Sequence, residues 1–488
     1  MTPTTMQMPP LDLSVAEIAR RIGGTIVPGP TTNTTPDAMM VAAITIDSRD
    51  VTTNSLFVAL PGSRADGHEF VIAAAEAGAC AALVTHAVDN AICTQIIVDD
   101  CLQALSDLAT MARLNQQMNG GRLVGITGSV GKTGSKEMLA HILRKFTACH
   151  ANKSSYNNNI GVPLTLANLA GATPVAVQEM GMNAPGEIAD LTLIAGPDIA
   201  VITRIADSHA GYFDSLADIA AAKAEIFDGL GGDAVAILNR DDEFFDDLSR
   251  RARLAGAQRI IGFGRHEEAE FRLVDAIVGE HGVTVTADIA GTPITFALGM
   301  HAPHWAMNAL AVLAAVDALG FDCNVAASHL ADFADLAGRG AISHGPFADA
   351  TITLIDDSYN ASPASMAAGL AGLAPHGAQI LVLSDMRELG DGTAAAHAAL
   401  VPIITEIAPR IMIALGPAMQ AITPDLDTTI TCHDAADSDD AIAYLRSHVE
   451  TGDRIFIKGS LGSGSWRVAK AVLSDFATST DGEAPHAA

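Results

Sequence analysis

Positive charge is scarce in this sequence. Its 28 Lys and Arg residues stand against 56 Asp and Glu residues, which gives a formal net charge of −28 over 488 residues. A surface this acidic repels phosphate backbones and anionic lipid, so we expect neither nucleic acid nor a membrane as a partner. Any anionic ligand must be held locally, by glycine loops, helix N-termini, bound cations or a few well-placed Lys and Arg side chains.

Cysteines are also few, and long apolar runs are missing. The six cysteines form no CxxC pair and no His/Cys set at zinc spacing, which favours reduced thiols. Asp12 and Glu17 interrupt the beginning of the chain, where a signal peptide would need a basic patch and an apolar run. No uncharged apolar stretch reaches the roughly 18 residues that span a membrane. We therefore expect a soluble, cytoplasmic protein.

The length of the chain exceeds what one hydrophobic core supports. At a prior of about 150 residues per domain, 488 residues suggest three domains. The apolar fraction of 49% and the charged fraction of 17% are typical of a globular protein. We place the domains at 1–115, 116–325 and 326–488, with the polar stretch "LNQQMNGGR" as the first linker.

The order of apolar segments predicts an α/β protein. From Leu123 onward, apolar strands such as "LVGIT", "PVAVQEMG" and "DIAVITRI" alternate with longer helices, which implies a parallel sheet covered on both faces. Two alternating runs in "GVTVTADIAGTPITFAL" meet at an Ala-Gly turn and predict an antiparallel hairpin. A third set of strands, including "TITLIDDS", "QILVLSDM" and "RIFIKGS", predicts a second doubly wound unit.

The clearest motif is "GITGSVGKTGSKEML", in which a strand runs through a glycine turn into a helix. Gly128 and Gly131 let backbone N–H groups face an anion, and the start of the helix adds its positive end. Lys132 supplies a mobile cation, and the hydroxyl of Thr133 can ligate Mg²⁺. The spacing is a tight GxxGKT form, not the general GxxxxGK[ST]. The alternative is a glycine turn with a solvated lysine, but strand, loop and helix all fall where triphosphate binding needs them.

Further candidates follow two later strands. Glu179 ends "PVAVQEMG" and His209 follows "DIAVITRI", so both side chains belong at the carboxyl edge of the sheet, where they could form a Mg²⁺ site. Lys223 lies in the helical stretch "IAAAKAEIF". Asn157 and Asn158 belong to a polar cluster whose amides could bind a substrate carboxylate or phosphate. Taken singly, each residue also has an ordinary interpretation as a capping, turn or solvated side chain.

Together these motifs resemble the Mur ligases of peptidoglycan synthesis. The resemblance extends over nearly the whole chain: "TIDSR" and "LFVALPGSRADGHEF"; "GITGSVGKT", "NNNIGVPLTL", "EMG", "SHAGYF", "AAKAEIF" and "HWAMNALAV"; "GRG", "IDDSYNASPASM", "LSDMRELG" and "KGSLGSG". It implies a three-domain architecture, with a UDP-substrate domain, a central P-loop domain with a parallel sheet, and a C-terminal Rossmann-like domain.

The resemblance also implies roles for particular residues. The implied ATP-binding set is Thr127, Gly128, Ser129, Val130, Gly131, Lys132, Thr133, Gly134, Asn308, Arg339, Asp356 and Asn360. The implied substrate-binding set is Ser48, Arg49, Asn157, Asn158 and Asp385. The implied catalytic set is Lys132, Glu179, His209 and Lys223, and the implied Mg²⁺ ligands are Thr133, Glu179, His209 and Lys223. Lys223 matches a lysine that the family carbamylates, which would turn an ammonium into an oxygen-bearing anion.

The implied reaction is ATP-dependent amide formation. ATP and Mg²⁺ would convert the carboxylate of a UDP-N-acetylmuramoyl-tripeptide to an acyl phosphate, which the amine of D-alanyl-D-alanine attacks. We expect a monomer. The alternatives are another Mur or folylpolyglutamate-type amide ligase, although the chain has no "DNPR" string of the diaminopimelate-adding relative, and an ATPase switch that ligates nothing. Two departures from the family pattern stand out, Gly134 where Thr is usual and Arg204 where Asn is usual.

Overall fold

This computed structural model describes residues 13–30, 34–62, 65–153, 156–206, 213, 215–279, 282–333, 336–373 and 379–480. The chain divides into two compact units. Unit 1 consists of Met1–Thr203, Ala221–Phe271 and Leu310–Ala326, and unit 2 consists of Arg204–Ala220, Arg272–Ala309 and Ala327–Ala488.

The first sheet of unit 1 has five short strands. They are β1 (Thr25–Val27), β2 (Ala43–Thr45), β3 (Ser55–Val58), β4 (Ala79–Val84) and β5 (Thr94–Ile97). Their order is β1-β5-β4-β3-β2, with β1 antiparallel to β5 and the other pairs parallel. The accompanying helices are α1 (Val15–Arg21), α2 (Val71–Glu76) and α3 (Cys101–Met118). Phe57 and Val71 belong to the buried core that joins this sheet to α2.

Unit 1 contributes six parallel strands to its second sheet. They are β6 (Arg122–Thr127), β7 (Cys149–Ala151), β8 (Val175–Glu179), β9 (Ile199–Ile202), β10 (Val235–Asn239) and β11 (Arg259–Gly264). Their order is β11-β10-β9-β6-β8-β7, so β6 lies at the centre between β9 and β8. The helices that follow α3 are α4 (Lys132–Phe146), α5 (Gly161–Ala167), α6 (Glu187–Ala195), α7 (Leu216–Ala224), α8 (Phe245–Leu254), α9 (Trp305–Ala318) and α10 (Cys323–Ser328). Because β6, β8 and β9 are parallel neighbours, the residues that follow them meet at one edge of the sheet.

Unit 2 contains the predicted hairpin. Strand β12 (Phe271–Gly279) is followed by β13 (Gly282–Ile289) and β14 (Thr292–Leu298), and β13 pairs with β14 in antiparallel register. The two residues between them, Ala290 and Gly291, have φ values of 50° and 85°. Two consecutive positive φ values are typical of the tight turns that suit hairpins. The prediction of an antiparallel hairpin at this place is confirmed.

The remaining sheet of unit 2 has six strands. They are β15 (Ala341–Phe347), β16 (Ala350–Asp357), β17 (Ile380–Ser384), β18 (Ile411–Leu415), β19 (Thr431–Ala435) and β20 (Arg454–Lys458). Their order is β15-β16-β20-β17-β18-β19, and every pair except β15 with β16 is parallel. The helices are α11 (Pro363–Ala371), α12 (Thr393–Ala398), α13 (Val401–Ile407), α14 (Pro417–Gln420), α15 (Ser438–His448) and α16 (Ser465–Thr480).

Successive residues of the central strands of this sheet serve two separate cores. Ile380 and Val382 of β17 pack in the core that includes α15 and α16, whereas Leu381 and Leu383 pack in the core that includes α11 and α13. Side chains alternate between the two faces of a strand, so an unbroken apolar run such as "ILVL" supplies both cores. The prediction of an α/β fold with doubly wound parallel sheets is confirmed.

The predicted first linker is wrong in its greater part. The residues 114–118 of "LNQQMNGGR" complete helix α3, and only a short turn leads from there to β6. Gln116 explains the difference, since its side chain is fully buried and donates to the carbonyls of Thr173 at 3.0 Å and Arg122 at 3.3 Å. Buried polar side chains are normally hydrogen-bonded, and these two bonds allow Gln116 to lie on the buried face of α3. The limits of the three domains stay predictions.

Two further features concern the cysteines and the helices. All six cysteines are free thiols, and burial raises the pKa of Cys80 and of Cys93 to about 11. In the ranges that the structure describes, no helix combines the length and the apolar character that crossing a bilayer requires.

Candidate active site

The glycine loop joins the central strand of unit 1 to a helix, as predicted. Strand β6 ends at Thr127 and helix α4 begins at Lys132. Gly128 and Gly131 have φ values of 147° and 86°, which residues with a Cβ rarely adopt. The ammonium of Lys132 donates to the carbonyl of Gly128 at 2.6 Å. The first N–H groups of α4 have no side-chain cap, so this end of the helix is suited to an anion.

A threonine that the sequence did not single out holds this loop. Thr203 follows β9 and is 4% exposed. Its backbone N–H donates to the carbonyl of Thr127 at 3.0 Å, and its hydroxyl donates to the carbonyl of Val130 at 2.6 Å. The neighbouring strand therefore fixes the loop at both its beginning and its middle.

Glu179 lies beside the loop. It is the last residue of β8, where it pairs with Ile126 of β6, and the next N–H, that of Met180, donates to the carbonyl of Ile126 at 2.8 Å. The side chain is 1% exposed, and its Oε1 accepts from Nδ2 of Asn157 at 2.8 Å. Oε2 is buried and has no hydrogen-bond partner among the described residues. A buried carboxylate oxygen without a partner is costly, and a bound cation would remove that cost.

Lys223 is also buried in unit 1. It lies in the last turn of α7 and is 1% exposed. Burial, together with the neighbouring ammonium of Lys132, holds the pKa of Lys223 well below its usual value of 10.5. A lowered pKa increases the fraction of neutral amine, which is the nucleophilic form.

Of the other two predicted metal ligands, Thr133 and His209, the structure describes only Thr133. Thr133 is buried in the first turn of α4. His209 lies outside the described residues. Within the described ranges, no three His, Cys, Asp or Glu side chains converge as a complete metal site. The structure thus places Lys132 and Glu179 at the loop, and Lys223 close enough to Lys132 for the two charges to interact. The catalytic and metal-binding roles of these residues, and that of His209, stay predictions.

The two asparagines predicted to bind substrate have structural partners in unit 1. Asn157 donates to Glu179, as described above. The Oδ1 of Asn158 accepts from the N–H groups of Ile160 and Gly161, at 3.3 and 2.9 Å, where α5 begins. Their substrate-binding roles stay predictions.

The predicted UDP-substrate residues lie in a short 3₁₀ helix, Ser48–Asp50, that follows β2. The exposed guanidinium of Arg49 pairs with Asp47, and the hydrogen bonds from Arg49 lower the pKa of Asp47 to about 2. Asn168 at the end of α5 accepts from the N–H of Ile44 and donates to its carbonyl, both at 2.9 Å. Within unit 1, the strand that leads to Ser48 and Arg49 is therefore anchored to the helix that follows the asparagine cluster.

Three predicted nucleotide residues gather around one turn of unit 2. Asp356 is 5% exposed, and its Oδ2 accepts from the N–H of Gly338 at 2.9 Å while its carbonyl accepts from the N–H of Gly340 at 2.7 Å. These bonds set the turn that carries Arg339, whose guanidinium lies 4.3 Å from the ring centre of Tyr359. Asn360 follows, and its carbonyl accepts from the buried ammonium of Lys458 at 3.1 Å.

Four other residues noted in the sequence have simpler surroundings. Asn308 is half-buried in α9. The Oδ1 of Asp385 accepts from the N–H of Met419 at 2.8 Å, in the short helix α14. Of the two departures from the family pattern, Gly134 is buried inside α4 and Arg204 is exposed.

The site therefore combines a glycine loop, a buried carboxylate oxygen that has no partner in the described part of the chain, and a buried lysine whose pKa is lowered by burial and by the loop lysine. Such groups suit phosphoryl transfer. Family models agree. The Mur ligase family catalytic domain matches residues 40–113, the Mur ligase middle domain matches residues 126–316, and the Mur ligase glutamate ligase domain matches residues 345–461.

Known proteins extend this agreement to the whole chain. It is 32% identical to the UDP-N-acetylmuramoyl-tripeptide–D-alanyl-D-alanine ligase of Rickettsia prowazekii, over 86% of this chain and 92% of that one. A crystal structure of MurF from Acinetobacter baumannii is 26% identical, with a TM-score of 0.80 over 95% of this chain and 100% of that one. MurF ligase from Thermotoga maritima in complex with ADP is 25% identical, with a TM-score of 0.74 over 90% of this chain and 98% of that one.

This chain belongs to the Mur ligase family. The predicted family, its three-domain architecture and the enzyme class, an ATP-dependent ligase, are confirmed.

Proposed function

We propose that this enzyme joins D-alanyl-D-alanine to a UDP-N-acetylmuramoyl-tripeptide, with ATP converted to ADP and phosphate. The Rickettsia prowazekii relative, which aligns with 86% of this chain, carries this substrate pair in its name, and MurF ligase from Thermotoga maritima is known in complex with ADP. The observation in this chain that carries the proposal is the buried Oε2 of Glu179 next to the phosphate loop, which has no hydrogen-bond partner among the residues that the structure describes. That oxygen suits an enzyme that handles triphosphate together with a divalent cation.

Mg²⁺ fits the residues present. The ion prefers oxygen ligands, and the chain offers Oε2 of Glu179 and the hydroxyl of Thr133, the second residue of the helix that follows the loop. When bound, Mg²⁺ would offset charge on the phosphates of ATP. Lys132 and the N–H groups at the start of α4 would bind and orient the β- and γ-phosphates.

The chemistry requires an activated acid, because a carboxylate oxygen is a poor leaving group. The substrate carboxylate would attack the γ-phosphorus, forming a C–O–P linkage and releasing ADP. The amine of D-alanyl-D-alanine would then attack the carbonyl carbon, expel phosphate and lose a proton, which leaves the amide. Lys132 would stabilise the transferring phosphoryl group by its charge, and the loop would hold that group in line with the attacking oxygen.

Lys223 belongs to this proposal as a carbamate. Its lowered pKa favours the neutral amine that reacts with CO₂, and the product would be an oxygen-bearing anion suited to Mg²⁺. A Lys223→Ala variant should lose most of its ligase activity. Full activity in that variant would contradict the assignment.

The test of the function is a release assay. ADP should form only when ATP, the UDP-tripeptide and D-alanyl-D-alanine are all present, and the product mass should equal that of the joined substrates. A Lys132→Met variant, which lacks the loop cation, serves as the inactive control. Steady ADP release from ATP alone would favour a non-ligating switch, and use of another amine would favour another member of the family.

The compartment and the assembly state complete the proposal. Six free thiols suit the reducing cytoplasm, so we place the enzyme there, acting as a monomer.

A further inference from the structure

A second lysine of the phosphate-loop helix has no part in the chemistry described so far. Lys136 lies four residues after Lys132 in α4, and its side chain is fully buried. Its ammonium donates to the carbonyl of Asn152 at 2.8 Å and pairs with Glu137 at 2.5 Å. Burying an ammonium costs several kcal/mol unless it is paired and hydrogen-bonded, so this contact needs an explanation.

The partner of Lys136 leads directly to Glu179. The side-chain Oδ1 of Asn152 accepts from the backbone N–H of Glu179 at 3.2 Å, and its Nδ2 donates to the carbonyl of Tyr156 at 3.3 Å. The side chain of Gln178 donates to that same carbonyl at 3.3 Å. Asn152 therefore ties the chain before the asparagine cluster to the end of strand β8.

Asn157 acts on the carboxylate itself. Its Nδ2 donates to Oε1 of Glu179 at 2.8 Å, while its carbonyl accepts from the N–H of Gly181 at 2.8 Å. A Cβ at position 181 would lie 2.9 Å from that Nδ2, so the close approach depends on glycine. With Oε1 occupied in this way, the carboxylate presents Oε2 alone, and Oε2 is the buried oxygen without a partner among the described residues.

We propose that Lys136, Asn152 and Asn157 are positioning residues that make Glu179 a one-oxygen ligand for the divalent cation of the active site. The inference rests on the proposed function, because it assumes that a cation binds at Glu179. Residues that hydrogen-bond to metal ligands orient them and set their basicity. Here the bond from Lys136 to Asn152 links helix α4, which follows the phosphate loop, to the segment that orients the carboxylate of Glu179.

A purely structural role would have a different signature. If the network only stabilised the fold, its loss would lower the melting temperature without a specific effect on metal binding. If it orients Glu179, its loss should weaken the binding of a divalent cation even in variants that fold well.

Mn²⁺ can replace Mg²⁺ as a paramagnetic probe, and its binding to the protein with ADP can be followed by electron paramagnetic resonance without turnover. Asn157→Ala and Lys136→Met should each raise the Kd for Mn²⁺ by about 10-fold, which is the lower end of the range for residues that support a metal ligand by hydrogen bonds. Lys136→Arg keeps N–H donors and should recover part of the loss. Arg113→Met is the matched control, because Arg113 is another buried cation of unit 1 and pairs with Asp198, which precedes β9. It should lower stability and leave the Kd unchanged.

A double-mutant cycle separates the possible results. In a Glu179→Gln background, Asn157→Ala should have no further effect on the Kd, because both changes act through the same carboxylate. Wild-type Mn²⁺ affinity in folded Asn157→Ala and Lys136→Met proteins, with clear loss in Glu179→Gln, would overturn the inference and leave the proposed function intact. If the unaltered protein with ADP bound no Mn²⁺, the metal assignment of the proposed function would fail, and this inference with it.

Discussion

The hydroxyl of Thr203 is the contact on which the shape of the phosphate loop most clearly depends. In a Thr203→Val variant the side chain keeps its shape, and the backbone bond from position 203 to the carbonyl of Thr127 remains. The change removes only the hydroxyl, and with it the 2.6 Å bond to the carbonyl of Val130 and the longer 3.3 Å approach to the carbonyl of Thr127. The loop would then be held at its beginning and released in its middle.

The magnitude follows from the cost of an unpaired acceptor. Leaving a partly buried carbonyl without its donor costs about 1 kcal/mol. We expect the free energy of unfolding, measured by urea denaturation, to fall by about that amount. If the released loop must be reordered whenever nucleotide binds, 1 kcal/mol corresponds to about a fivefold weaker Kd for ADP in titration calorimetry.

Two further variants separate an effect on nucleotide binding by the loop from a general loss of stability. Thr203→Ser keeps a hydroxyl and should bind ADP with nearly normal affinity. Thr192→Val removes a similar buried bond, from the hydroxyl of Thr192 in α6 to the carbonyl of Ile226 at 2.8 Å, and should lose stability without losing affinity for ADP. Equal ADP affinity in the Thr203→Val and Thr192→Val proteins would refute the reasoning.

Three more predictions concern Gly131, Tyr359 and Lys223. Gly131→Ala places a Cβ at a φ of 86°, so it should lower the melting temperature at a cost of about 1 kcal/mol and raise the KM for ATP. Tyr359→Leu removes the aromatic ring that contacts the guanidinium of Arg339. A cation–π interaction at a half-exposed site contributes about 0.5–1 kcal/mol, so the variant should have a KM for ATP raised by a few-fold and a smaller change in kcat. The pKa of Lys223 is lowered in the folded protein, so between that lowered value and 10.5 the unfolded chain binds more protons and stability rises with pH. In CO₂-free buffer, Lys223→Met should have a higher free energy of unfolding than wild type at a pH of about 7, and the difference should shrink as the pH is raised to about 10. A difference that does not change with pH would contradict this prediction.

The sequence predicted the positions that parallel-sheet geometry determines. Glu179 could be placed beside the loop because β6 and β8 are parallel neighbours and their carboxyl ends share an edge. The loop itself was predictable because only glycine suits the backbone at 128 and 131. In both cases a local pattern was enough.

The residues that hold these groups in place were not predictable in the same way. Thr203, Asn152 and Lys136 bond to backbone carbonyls or N–H groups of other segments, and the direction of those groups depends on how each loop turns. Lys136 in "GSKEML" reads as an ordinary solvated lysine. One signal was available, because a residue four positions after Lys132 lies on the same face of the helix as the loop lysine.

Lysine is scarce in this acidic protein, so the burial of several lysines is unexpected. The chain has only seven, yet Lys136, Lys223 and Lys458 are each at most 2% exposed. An ammonium is costly to bury, so chance would leave almost all of them at the surface. Lys136 bonds to the segment that orients Glu179, Lys223 lies near Lys132, and Lys458 pairs with Asp357 at 2.6 Å and bonds to the turn at Asn360. An enzyme with a net charge of −28 needs cations at the places where it binds ATP. We therefore expect the buried lysines to have functional roles, which the variants described above test for Lys136 and Lys223.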